Sequence, residues 1–246
     1  MSAKNSPVVE SGATDAVEAL ATAVREGLAE LANPEAAPGM QAYMKSTMPY
    51  LGIAAPPRGK LLKALFAAHP LPDRASWEAA VRALWQGATH REERYAAIAL
   101  TGSKAYAGYQ DVGTLTLYRE LIVEGAWWDY VDELASRRVG PILRADRAVV
   151  TPIMRAWSVD PEPWLRRTAI LSQLTFKSET DLELLVEVIE PNLADSWFFL
   201  RKAIGWALRA YAWSDPEWVR AYVAAHDCQL SGLSRREALK NIGRSA

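Results

Sequence analysis

The chain has a single cysteine, three histidines and almost no net charge, with 28 Lys and Arg against 29 Asp and Glu. A lone Cys228 excludes an internal disulfide and any cysteine-based zinc cluster. His69, His90 and His226 lie far apart without metal-ligand spacing, so neither a metal nor another cofactor is expected. A near-neutral total lends no support to nonspecific nucleic-acid binding by bulk charge. No apolar run approaches the roughly 20 residues that a bilayer demands. The opening "MSAKNSPVVE" lacks the apolar core of a secretory signal. These absences predict a cytoplasmic protein without a membrane partner. Strand signals are also missing, because no stretch sustains period-two alternation between hairpin turns.

What remains is a globular composition. Half of the 246 residues are hydrophobic, enough to bury a substantial core, and ten are tryptophan. Charge is uneven along the chain. From residue 201 onward, Arg201, Lys202, Arg209, Arg220, Arg235, Arg236, Lys240 and Arg244 face only Asp215, Glu217, Asp227 and Glu237, so the C-terminal end is basic.

Residues 1–14 are polar and read as a loose tail, with one domain expected over 15–246. From Asp15, a candidate N-cap, the pattern is helical almost throughout. The helices are short and arrive in pairs. Three of them share an Arg two residues before an Ala: Arg94 with Ala96, Arg167 with Ala169, and Arg201 with Ala203. The arginines are separated by 73 and then 34 residues, which places one further repeat near residue 130. A period in the mid thirties with two helices per unit predicts an all-α protein, an α-solenoid of HEAT-like repeats. In that architecture the second helices line a concave face. Asp132, Arg167 and Trp206 would then sit on neighbouring inner helices and could converge on one ligand.

The repeat near residue 130 contains "GAWWDYVDELASRRVG". On a helix there, Trp127, Val131, Leu134 and Ala135 share a core-facing stripe, while Trp128 and Asp132 stack one turn apart on another face. Trp164 and Arg167 form a second pair, and Trp206 and Arg209 a third, each three residues apart. Indole rings, guanidiniums and one carboxylate suit a ligand with anionic linkages and a flat cation. Arg forks match phosphate oxygens. Indole faces attract a delocalised cation by roughly 0.5–2 kcal/mol each. A carboxylate stabilises positive charge developing between them. DNA bearing an N-alkylated purine has all of these parts. The bland readings stay open beside this one: Asp132 as a solvated surface carboxylate, Arg167 as the partner of an Asp in an adjacent loop, and Trp77, Trp85, Trp157, Trp164, Trp197, Trp213 and Trp218 as inter-helix packing.

"WWDYVDELA", then "PWLRRTAIL", then "FLRKAIGWALR", spaced by about 35 residues, resemble the signature of the AlkD-type DNA alkylation-repair glycosylases. "YMKSTMPYLGIAAPPR" is similar to that family's N-terminal segment, and the resemblance runs from about residue 20 to 240. It implies an array of HEAT-like repeats with a concave, basic DNA-binding face. It implies hydrolysis of the N-glycosidic bond of positively charged alkylpurines, notably 3-methyladenine and 7-methylguanine, in duplex DNA. The lesion would not be rotated into a deep pocket, unlike in most glycosylases. By motif, Asp132 would be the catalytic carboxylate, Trp128 and Trp206 would flank the lesion nucleotide, and Arg167 would hold a backbone phosphate.

Arg209, Arg201 and Lys202 are further candidate phosphate contacts, and Tyr43 and Lys45 would touch DNA from the N-terminal segment. Asp129 competes with Asp132 for the catalytic role; its bland role is to pair with Arg94 or Arg166. No lysine in these motifs is placed to act as an amine nucleophile, so a monofunctional enzyme leaving an abasic site is expected, acting as a monomer without an obligate protein partner. The rival expectation is a scaffold of the same fold that binds DNA or protein and catalyses nothing.

Overall fold

The computed structural model describes residues 7–242. Among the described residues the α-helices are α1 (Pro7–Glu30), α2 (Ala37–Met44), α3 (Ala55–Ala68), α4 (Arg74–Gln86), α5 (Arg91–Thr101), α6 (Leu115–Gly125), α7 (Trp128–Leu134), α8 (Gly140–Ala145), α9 (Arg147–Trp157), α10 (Pro163–Leu171), α11 (Leu182–Ile189), α12 (Phe198–Tyr211), α13 (Pro216–Ala225) and α14 (Gly232–Leu239). Short 3₁₀ turns and one π turn join them, and no strand occurs among these residues. No helix there is long and apolar enough to cross a membrane.

The tail expected over residues 1–14 is helical from Pro7, because α1 starts well before Asp15. A proline suits a first helical turn, where its missing N–H has no intrahelical partner to lose. Residues 1–6 lie outside the described residues. The chain divides into two compact units, Met1–Tyr109 and Gln110–Ala246.

In the first unit, α1 packs on α3, α4 and α5, and α5 also packs on α3 and α4. Leu20, Val24, Leu28, Trp77, Val81, Leu84, Trp85 and Leu100 form its buried centre. Asp73 caps α4 by accepting from the Ser76 N–H at 2.8 Å. The buried Glu92 carboxylate accepts N–H groups of Leu51, Gly52 and Ile53 at 2.9–3.1 Å, so it fixes the loop leading into α3.

The second unit is a stack of helical layers. α7 packs on α10, α10 on α12, and α12 on α14, while α9 and α11 pack behind α10, and α13 touches both α12 and α14. Sequence accounts for three of the starts. Glu162 with Pro163, Asp181, and Asp215 with Pro216 place side-chain acceptors at the N-caps of α10, α11 and α13. Val131, Leu134, Leu165, Ile170, Leu200, Ile204 and Leu208 fill the space between layers. Between α7 and α8 the chain makes a π turn over Ala135–Val139. Gly140 follows it, and a Cβ there would come within 2.4 Å of the Ser172 carbonyl oxygen. That absent side chain lets the residue after the turn close against the end of α10.

Candidate functional site

The helix expected near residue 130 begins at Trp128, after Ala126 in a left-handed conformation and Trp127 in an extended one. Val131, Leu134 and Ala135 are fully buried, as their stripe predicts, and Tyr130 joins them, whereas Trp127, the stripe's first member, precedes the helix and is only half-buried. Trp128 and Asp132 are half-buried, one turn apart on α7. Trp127 enters an aromatic cluster with Trp164, Phe199 and Trp197, with ring centroids 4.7–6.3 Å apart. Edge-to-face and tilted contacts of this kind stiffen the wall that carries α7, α10 and α12.

Arg167 is the hub. Its side chain is 1% exposed, and its Nε and Nη2 donate to Asp132 Oδ1 and Oδ2 at 2.7 and 2.8 Å. Its Nη1 donates to the Phe199 carbonyl oxygen. The guanidinium carbon lies 5.5 Å from the Trp206 ring centroid. One side chain of α10 therefore links the carboxylate of α7 to the indole of α12. The expectation that Asp132, Arg167 and Trp206 gather is met. The planar Arg167 fork matches a carboxylate in two places, and the layers are close enough for Asp132 to fill it. Asp132 is far from a solvated surface acid, with its side chain 19% exposed. Burial pushes the Asp132 carboxyl above its ordinary value, Arg167 pulls it back, and the nearby Asp129 charge adds to the rise. Arg166 pairs with Asp195 at 3.0 Å.

The remaining candidates fall into two groups. On α12, Lys202 Nζ lies 2.6 Å from Glu237 Oε1, and Arg209 pairs with the other oxygen of the same carboxylate. Arg201 Nε donates to the Asp195 carbonyl oxygen at 2.9 Å. Arg220 pairs with Glu217 and Arg235 with Asp227. Much of the basic surplus read from the C-terminal sequence thus has carboxylate company. Tyr43, 77% exposed on α2, and Lys45, its left-handed C-cap, belong to the other unit.

Reading the sequence missed two residues. Trp213, expected in packing, is 62% exposed. It lines a cleft of about 750 Å³ with Lys177, Trp206 and Arg209. It lies in the turn just beyond α12, so helical spacing from Trp206 gave no signal for it. Glu237 was the other, and its signal was a spacing of 35 residues from Lys202. Among the described residues, no three histidine, cysteine or carboxylate side chains gather so that they could hold a metal ion.

Residues 24–242 match the family described as DNA alkylation repair enzyme. A solved structure, a predicted DNA alkylation repair enzyme from Enterococcus faecalis, superposes with a TM-score of 0.77 at 31% identity over 87% of this chain and 98% of that one. No curated protein matches the chain significantly.

Proposed function

The chain belongs to the DNA alkylation repair enzyme family, and on that premise we propose that it hydrolyses the N-glycosidic bond of positively charged N-alkylated purines, 3-methyladenine and 7-methylguanine, in duplex DNA. The observation that carries the reading is the Asp132 carboxylate, held at both oxygens by buried Arg167 beside the Trp206 ring. A purine alkylated on a ring nitrogen already carries positive charge, so it departs without a proton from a general acid. Positive charge then develops on the deoxyribose. A fixed anion in a partly dry site stabilises that charge without reorganising. Arg167 holds the carboxylate plane, and each carboxylate oxygen keeps a second lone pair to orient water. Trp128 and Trp206 flank the lesion nucleotide and add attraction for the cation through their ring faces. The product is an abasic site, and the base need not leave the duplex for a pocket.

A second reading has one observation in its favour. An Asp–Arg pair joining two helical layers is also what a purely structural tie looks like, which suits a non-catalytic scaffold that binds DNA or protein. Base release separates the two. Purified protein incubated with methylated duplex DNA is expected to liberate 7-methylguanine, and Asp132→Asn to lower the rate by about 10²- to 10³-fold, the range for losing one preorganised electrostatic group. Asn keeps one acceptor for Arg167, and retained affinity for unmodified duplex would show that the variant remains folded. Intact substrate with the wild-type protein sinks the glycosylase reading; undiminished release by Asp132→Asn moves catalysis elsewhere.

A further inference from the structure

The stripe Lys202, Trp206 and Arg209 occupies positions i, i+4 and i+7 of α12, so the three side chains stand along one face. Both cations flank the indole, with Lys202 Nζ 5.6 Å and Arg209 Cζ 5.8 Å from its ring centroid. Both also reach one carboxylate, Glu237 of α14, each taking a different oxygen. The approach of α14 depends on Gly205, where a Cβ would meet Glu237 Cβ at 2.5 Å and the Ser234 carbonyl oxygen at 2.9 Å. The backbone contact is reinforced by Ser234 Oγ, which donates to the Arg201 carbonyl oxygen at 2.9 Å.

This cluster differs from the Asp132–Arg167 pair in two respects. Lys202 and Arg209 remain about a quarter exposed, at 24% and 23%, whereas Arg167 is sealed. The charges also do not cancel: two cations share one anion. A cleft lined by Lys177, Trp206, Arg209 and Trp213 opens beside Arg209, so an outside anion has a way in.

We propose that Lys202 and Arg209 form a site for a DNA backbone phosphodiester, and that Glu237 occupies it while DNA is absent. A phosphodiester carries the same single negative charge as a carboxylate and, like it, offers two unesterified oxygens. The C-terminal helix therefore competes with the nucleic acid for the same donors. It sets a threshold that a weakly held duplex does not cross, and it keeps the indole face of Trp206 bracketed by cations meanwhile. Burial pushes the Glu237 carboxyl up, but Lys202, Arg209 and Lys240 outweigh it and hold it below its ordinary value, so the competitor stays charged at neutral pH. The inference rests on the reading that this chain acts on DNA.

The test is binding of an unmodified duplex across a range of salt concentrations, which needs no base excision. Glu237→Gln is expected to bind about two- to fivefold more tightly at low salt, the scale of a partly exposed ion pair. The logarithmic dependence of affinity on salt should steepen by about one, as for one more neutralised phosphate. Adding Lys202→Gln to Glu237→Gln should bring both quantities back toward wild type. Should Glu237→Gln melt near the assay temperature, Glu237→Asp carries the comparison. Its charge is kept but its carboxylate is drawn back by one methylene, and a smaller gain of the same sign is expected. Unchanged or weaker binding with an unchanged slope in both variants overturns the inference and makes Glu237 a strut between α12 and α14. Failure of the wild-type protein to bind duplex at low salt instead overturns the DNA reading on which the inference stands.

Discussion

Asp132 and Arg167 meet through two hydrogen bonds of 2.7 and 2.8 Å across 35 residues of chain, joining α7 to α10. Each member protects the other from being a lone charge in the interior. Removing one is therefore worse than removing both. Asp132→Ala strands a guanidinium that water scarcely reaches and is expected to destabilise the fold by about 3–5 kcal/mol. Arg167→Met combined with Asp132→Leu should lose less than the two single changes add up to, with a coupling of about 0.5–3 kcal/mol. Urea denaturation of the four proteins measures it, and strict additivity would mean that the pair is not coupled.

The carboxyl shift at Asp132 sets an expected pH profile. The ionised form is the active one in the proposed reaction, so activity falls as pH drops through the folded-state value. Burial raises that value above the usual carboxylate figure of about 3.9. The acid limb of base release should accordingly lie at higher pH than for an exposed aspartate. In Arg167→Met the lowering influence of the guanidinium is lost, and the limb should move higher still. Rates on duplex DNA carrying 7-methylguanine, corrected for spontaneous depurination, check both. A limb that stays put in Arg167→Met would separate Arg167 from the titration.

Gly205→Ala tests how tightly the last two layers fit. The new methyl would have to share space with Glu237 Cβ and the Ser234 carbonyl. Backbone gives poorly, so this overpacking is expected to cost about 1–3 kcal/mol despite alanine's better helix propensity. Thermal unfolding reports it. A variant more stable than wild type would show that α14 is free to slide.

Much of this is legible in the sequence. Helical periodicity identified the buried stripe of α7, and the recurrence of Arg before Ala identified the layers that bring Asp132, Arg167 and Trp206 together. What was not legible is which partner a long side chain selects. Arg167 has a fork that fits phosphate and carboxylate alike, and the choice depends on how near α7 lies to α10, a distance set by packing and by the close approach at Gly140. Glu237 illustrates an overlooked regularity. Lys202 with Glu237 repeats the 35-residue reach of Asp132 with Arg167, and Arg144 with Glu179 has it too.

That common reach has a bearing on robustness. Each of these three bridges joins neighbouring layers, and in a stack of this kind each layer contacts mainly its neighbours. If α14 peels back, Lys202 and Arg209 lose their carboxylate, but the grip of α10 on α7 involves no atom of the departing helix. Asp132 is thus separated from movements of α14 by two intervening tiers, α10 and α12.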